Sequence, residues 1–102
     1  MLAMTDMKTR LGDIETKTSD AVRASESDQG ASAVLVAVVR EFDSKADRVV
    51  ADTGEARDSV IELEQAGDSA KAAAEADSGL GEEARQAVLD AHLPICILKT
   101  EI

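Results

Sequence analysis

The chain of 102 residues contains no tryptophan, no tyrosine and a single phenylalanine, Phe42. A core without aromatic bulk must be assembled from Ala, Val, Leu and Ile. That core is thin, because burying a large aliphatic side chain contributes about 1.5–3 kcal/mol and an alanine much less. Cys96 is the only cysteine, which excludes an internal disulfide and leaves the redox compartment open. The longest apolar run, Ala33 to Val39, is too short to span a bilayer. The opening residues Met1-Leu2-Ala3-Met4-Thr5-Asp6 lack a charged segment followed by an apolar one. The expectation is therefore a cytoplasmic protein, or one exported without a cleavable signal peptide. Positive charge is also scarce: 11 basic against 21 acidic residues give a formal charge of −10. Such a surface repels phosphate backbones and anionic lipid, so neither nucleic acid nor membrane is an expected partner. At this length residues 1–102 make one domain, with no room for a separate catalytic unit.

What the sequence does have is helical periodicity. Met4, Met7, Leu11, Ile14, Thr18 and Ala21 follow one another at alternating three- and four-residue steps, the spacing of one buried stripe. They predict a first helix over about residues 3–25, with Gly12 as its weak point. Residues 26–31 gather small polar side chains and Gly30 into a turn, and Ser32 is placed to cap the next helix.

The strongest pattern begins at Leu35. Leu35, Phe42, Val49, Ala56, Leu63 and Ala70 recur at seven-residue intervals, and Val39, Ala46, Thr53, Val60, Gly67 and Ala74 recur four residues after each of them. The charged residues of this stretch fall on other faces. Gly54 would allow a break and a second hairpin, but the phase of the seam is unchanged across it. The pattern thus predicts one long helix over about 32–77, bent at Gly54 if anywhere.

Gly79 and Gly81 end that helix, and a short helix over about 82–92 follows, with Ala84, Val88 and Ala91 on one side. Pro94 is expected to stop it. Residues 94–102 then form a tail of β-branched and aliphatic residues with no strand to pair with. The expected fold is all-α: a helical hairpin with a short first helix, a long heptad-patterned second helix, and a short third helix plus C-terminal tail.

Candidate chemistry is sparse. His92 and Cys96 are one helical turn apart in number, but Pro94 between them is expected to spoil their facing, and two ligands do not make a metal site. The pair reads as a buried thiol beside a surface imidazole. Gly79-Leu80-Gly81 lacks the Lys and Ser/Thr of a phosphate loop. The carboxylates are spread over helix surfaces without a pocket to raise one pKa. No catalytic residue, cofactor or metal is expected. The seam itself is the candidate site, its small residues Ala46, Thr53, Ala56, Gly67, Ala70 and Ala74 permitting close approach of another helix. Because the seam outruns the first helix, its far half needs cover from the short third helix and tail or from a partner chain, as a homodimer or heterodimer.

Size, the order helix, Gly-containing turn, helix, and the Ala-rich second helix resemble the small helical-hairpin proteins of the type VII secretion system, the WXG-type family and its actinobacterial relatives. The turn reads Asp28-Gln29-Gly30 where that family has Trp-x-Gly, so the glycine matches and the tryptophan does not. Glu64-Gln65-Ala66-Gly67-Asp68 carries the acid of the family's export signature, with Glu64 in place of its tyrosine. The resemblance implies a non-enzymatic protein that dimerises through its hairpin and is exported folded, or a non-exported relative. The alternative is a cytosolic coiled-coil scaffold or adaptor module.

Overall fold

A computed structural model describes residues 4–51 and 56–101. They form helices α1 (Met4–Ser27), α2 (Ala33–Ala51), α3 (Ala56–Ala76) and α4 (Glu82–Thr100). Each helix packs on the next and α4 returns to α1, which closes a four-helix ring around one core. The 24 residues of α1 span about 36 Å at helical rise, close to the 40 Å long axis, so the helices run along the molecule.

Two expectations are corrected here. The stretch from 32 to 77 is two helices lying side by side, and Thr53 and Gly54 lie outside the described residues. The tail is no tail, because α4 runs through Pro94 to Thr100 and buries Ile95 and Leu98 completely. A proline inside a helix costs about 3 kcal/mol. Two fully buried large aliphatics return about 3–6 kcal/mol, which settles the balance in favour of a continuous helix.

The bundle is built from two similar halves. The buried positions of α1 and α2 recur in α3 and α4 at a constant 49 positions: Leu11 with Val60, Ile14 with Leu63, Ala21 with Ala70, Leu35 with Ala84, Val39 with Val88, Val49 with Leu98. The turns repeat too, Asp28 and Gly30 corresponding to Asp77 and Gly79. Asp28 accepts the Gly30 N–H at 2.8 Å and reaches across to accept that of Gly81 at 2.8 Å. Asp77 accepts the Gly79 N–H at 3.1 Å and that of Ser32 at 2.8 Å. Each aspartate thus shapes its own turn and ties it to the other.

The turns touch backbone to backbone. A Cβ built on Gly30 would land on the Gly79 carbonyl, and one on Gly79 would lie 2.6 Å from the Gly30 oxygen, so neither position has room for a side chain. Ser32 caps α2 as expected, its Oγ accepting the Leu35 N–H at 3.1 Å. Arg85 closes the end of α3 by donating to the carbonyls of Ala74 and Asp77 at 3.2 and 2.9 Å.

Candidate functional site

The seam residues divide between two helices. Leu35, Val39, Phe42, Ala46 and Val49 on α2 and Val60, Leu63, Gly67, Ala70 and Ala74 on α3 are all buried. Thr53 and the side chain of Ala56 lie outside the described residues. The two rows face the same core, and the half expected to lack cover is roofed by Ala84, Val88, Ala91, Ile95 and Leu98 of α4. The total accessible surface of 5600 Å² is near the roughly 5500 Å² expected for a compact folded monomer of 10.7 kDa. Folded this way, the chain keeps its seam for itself.

The chemistry-bearing side chains come together elsewhere, on the outer edge between α3 and α4. Because α4 is unbroken at Pro94, His92 and Cys96 do share a face, which corrects the expectation that the proline separates them. The Cys96 Sγ lies 3.2 Å from His92 Nε2 and 3.8 Å from Nδ1. From α3, Asp68 Oδ1 approaches the same Nε2 at 2.7 Å. One donor atom from each of Asp68, His92 and Cys96 lies within 4.8 Å of the others. Glu64, one turn before Asp68, has a side chain only 12% exposed and accepts a charge-assisted bond from Lys99 Nζ at 3.2 Å.

Gly67 makes the space for this arrangement. It occupies the position that corresponds to Thr18 in the first half, and a Cβ there would sit 3.1 Å from Phe42 Cζ and 3.2 Å from His92 Cδ2. The bare backbone lets the imidazole lie down against α3 beside Asp68. In the first half the corresponding contact is made by smaller groups: Thr18 and Ser19 donate to Asp43 Oδ1 at 2.7 and 3.2 Å.

Electrostatics separate the possible roles of the cluster. The hydrogen bond from His92 holds the Asp68 carboxyl below the usual aspartate range, so Asp68 is ionised at neutral pH. Burial, with the Asp68 and Glu64 carboxylates behind it, pushes the Cys96 thiol up. A nucleophilic cysteine requires the opposite shift. A relay triad also needs the acid and the nucleophile on opposite imidazole nitrogens, whereas Asp68 and Cys96 both converge on Nε2. The geometry is that of three donors around one point, not of a proton relay.

Sequence reasoning found two of the three residues and dismissed them, and met Asp68 only as part of a resemblance. The missed signal was a pair of one-turn spacings, Glu64 with Asp68 and His92 with Cys96, on helices that become neighbours only after the chain reverses. No protein-family model matches this chain, and no curated protein or solved structure shows significant similarity to it.

Proposed function

We propose that the protein is a non-enzymatic helix-packing interaction protein that receives an amphipathic helix from a basic partner in the outer groove between α2 and α3. The observation that carries this reading is the lining of that groove. Ala37, Val38 and Ala66 form the floor of an open depression of about 350 Å³, rimmed by Glu41, Lys45, Gln65 and Ser69. A second depression, lined by Val34, Ala73 and Ala76, continues it toward the turns. Val34, 69% exposed, extends the apolar lining at that end. Small side chains let a helix backbone approach closely, and the excess of 21 acids over 11 bases favours a partner with a basic polar face. The same charge opposes a second copy in the groove. The reading keeps the helix packing expected from the sequence but moves it from the buried seam to the outer face. The long second helix that entered the WXG-type resemblance is two helices, α2 and α3, while the size, the Gly-containing turn and the acid at Asp68 that also entered it are unchanged.

The test is titration with a synthetic amphipathic helix bearing an Ala/Leu stripe and a lysine-rich polar face, on the wild type and on Ala37→Glu and Ser69→Glu. Both substitutions block the groove while adding negative charge, so affinity falls by about tenfold if the groove is the site. Non-specific attraction predicts equal or tighter binding by both variants, and that result would refute the reading. Light scattering of the free protein is expected to give a monomer, and a stable dimer would refute the choice of partner.

A further inference from the structure

We propose that Asp68, His92 and Cys96 form a binding site for one divalent transition-metal ion of the zinc class, held by the Asp68 carboxylate, His92 Nε2 and the Cys96 thiolate, with solvent in the fourth position.

Donor chemistry selects the class of ion. A thiolate, an imidazole and a carboxylate together suit borderline ions such as Zn²⁺ or Co²⁺, whereas Ca²⁺ and Mg²⁺ require oxygen ligands throughout. Spacing is consistent with this choice. With bonds of about 2.0 Å to nitrogen and oxygen and 2.3 Å to sulfur, the edges of a tetrahedral site are about 3.3 Å from N to O and 3.5 Å from N to S. The corresponding separations are 2.7 and 3.2 Å, so the nitrogen must part from the oxygen by about 0.6 Å and from the sulfur by about 0.3 Å, which side-chain rotation supplies. The cation takes the place of the proton between His92 Nε2 and Asp68. Binding therefore releases the thiol proton to solvent, while the ligating neutral imidazole carries its one proton on Nδ1.

The surroundings match the chemistry. The two ligands of α4 are one turn apart on a continuous helix, and the third comes from the neighbouring helix, so three donors are fixed by packed elements instead of loops. The imidazole side chain is 14% exposed and is held in place by the gap at Gly67, while Asp68 is 56% exposed and leaves an entry from solvent. Glu64 stands behind Asp68, tied to Lys99, as a second carboxylate that lowers the potential around the ion without needing to ligate it. A chain of formal charge −10 adds a general attraction for cations. The first half of the bundle, with Ser19, Asp43 and Asp47 at the corresponding positions, offers neither sulfur nor imidazole.

The experiment is a Co²⁺ titration of the reduced full chain, followed by optical spectroscopy and then displacement with Zn²⁺. The expected result is saturation at one equivalent with a thiolate-to-cobalt charge-transfer band and the intense visible bands of four-coordinate cobalt, all lost on adding Zn²⁺. Cys96→Ser removes the charge-transfer band, His92→Gln and Asp68→Asn weaken binding by about tenfold or more, and Glu64→Gln retains the band. Far-UV circular dichroism reports whether each variant is folded. A second measurement needs no variant: Zn²⁺ slows alkylation of Cys96 by iodoacetamide in the wild type, read by mass spectrometry, by about tenfold or more. Absence of a charge-transfer band at one equivalent, a band of unchanged affinity in folded His92→Gln and Asp68→Asn, or alkylation indifferent to Zn²⁺ each overturns the proposal. None of these readouts depends on the α2–α3 groove, so the two proposals fail separately.

Discussion

Replacing Gly67 and Gly12 by alanine, one at a time, gives opposite outcomes if the packing at the α3–α4 edge is as described. Both glycines are in helices, and in a helix interior glycine is about 1 kcal/mol worse than alanine. At Gly12 nothing lies within 4 Å of the added Cβ, so Gly12→Ala collects that gain, about 0.5–1 kcal/mol. At Gly67 the Cβ meets Phe42 Cζ at 3.1 Å, Phe42 Cε1 at 3.3 Å and His92 Cδ2 at 3.2 Å, where ordinary carbon contacts are about 3.5–4.0 Å. Phe42 is fully buried among core residues and cannot retreat, so the imidazole must move outward, away from Asp68. Overpacking of this kind costs about 1–3 kcal/mol, which exceeds the helix gain and leaves Gly67→Ala destabilised by about 1 kcal/mol. For 102 residues the entropy of unfolding is about 0.2 kcal/mol per degree, so the two variants separate by roughly 8–10 °C in Tm, one above and one below the wild type. Calorimetry or thermal circular dichroism reads the difference. If Gly67→Ala raises Tm as much as Gly12→Ala does, the close approach at Gly67 is wrong, and with it the seating of His92.

Two further outcomes follow from single groups. Ser25 is 1% exposed and its Oγ has no hydrogen-bond partner among the described residues, while the corresponding position in the second half is Ala74; Ser25→Ala should therefore leave stability unchanged or raise it by up to about 1 kcal/mol, and a clear fall in the urea midpoint would refute this. Asp77 is held below the usual aspartate range, chiefly by the Ser32 N–H. A depressed carboxyl stabilises the fold above its unfolded-state pKa, and the contribution is lost as pH falls through the folded value. The Tm gap between wild type and Asp77→Ala should accordingly be full at neutral pH and shrink as the solution is acidified below the ordinary aspartate range, and a gap constant with pH would show that the charge is not what ties the turns.

The inner faces of the bundle were legible and its connectivity was not, for one physical reason. Ser25 and Leu35 bracket the first turn, and the three- and four-residue steps run straight through it by way of Asp28 and Ser32; they run through the second visible turn by way of Asp77 and Gly81. A turn that sends each helix back with its apolar face inward fixes the number of residues it spans, so unbroken phase is compatible with a reversal as well as with a continuous helix. The unchanged phase around Gly54 was therefore no evidence for one long helix. Side-chain type at the in-phase positions separates the two only in part: the turns carry Asp28, Ser32, Asp77 and Gly81 there, but Thr18, Ser25 and Gly67 hold in-phase positions inside helices. Pro94 misled in the other direction: Ile95 and Leu98 continue the series of Ala84, Val88 and Ala91, and their burial outweighs the hydrogen bond that proline removes.

The candidate site was hidden by the same reversal. Its residues come from α3 and α4, which a single long helix followed by a tail would never bring side by side. The repeat of the bundle also says where to look for function. Inner positions of the two halves are buried alike even where the side chains differ, Phe42 against Ala91 and Ala46 against Ile95, so their shared burial reports packing. Where the paired helices meet, the halves diverge in chemistry: Thr18, Ser19, Asp43 and Asp47 in one correspond to Gly67, Asp68, His92 and Cys96 in the other. The first set closes on itself, with two hydroxyls satisfying one carboxylate oxygen. The second brings three metal-competent donors to one point and clears space with a glycine that costs helix stability. A pair of helices needing only an edge contact already has a solution in the first half, so the costlier arrangement in the second is where a binding role is to be sought.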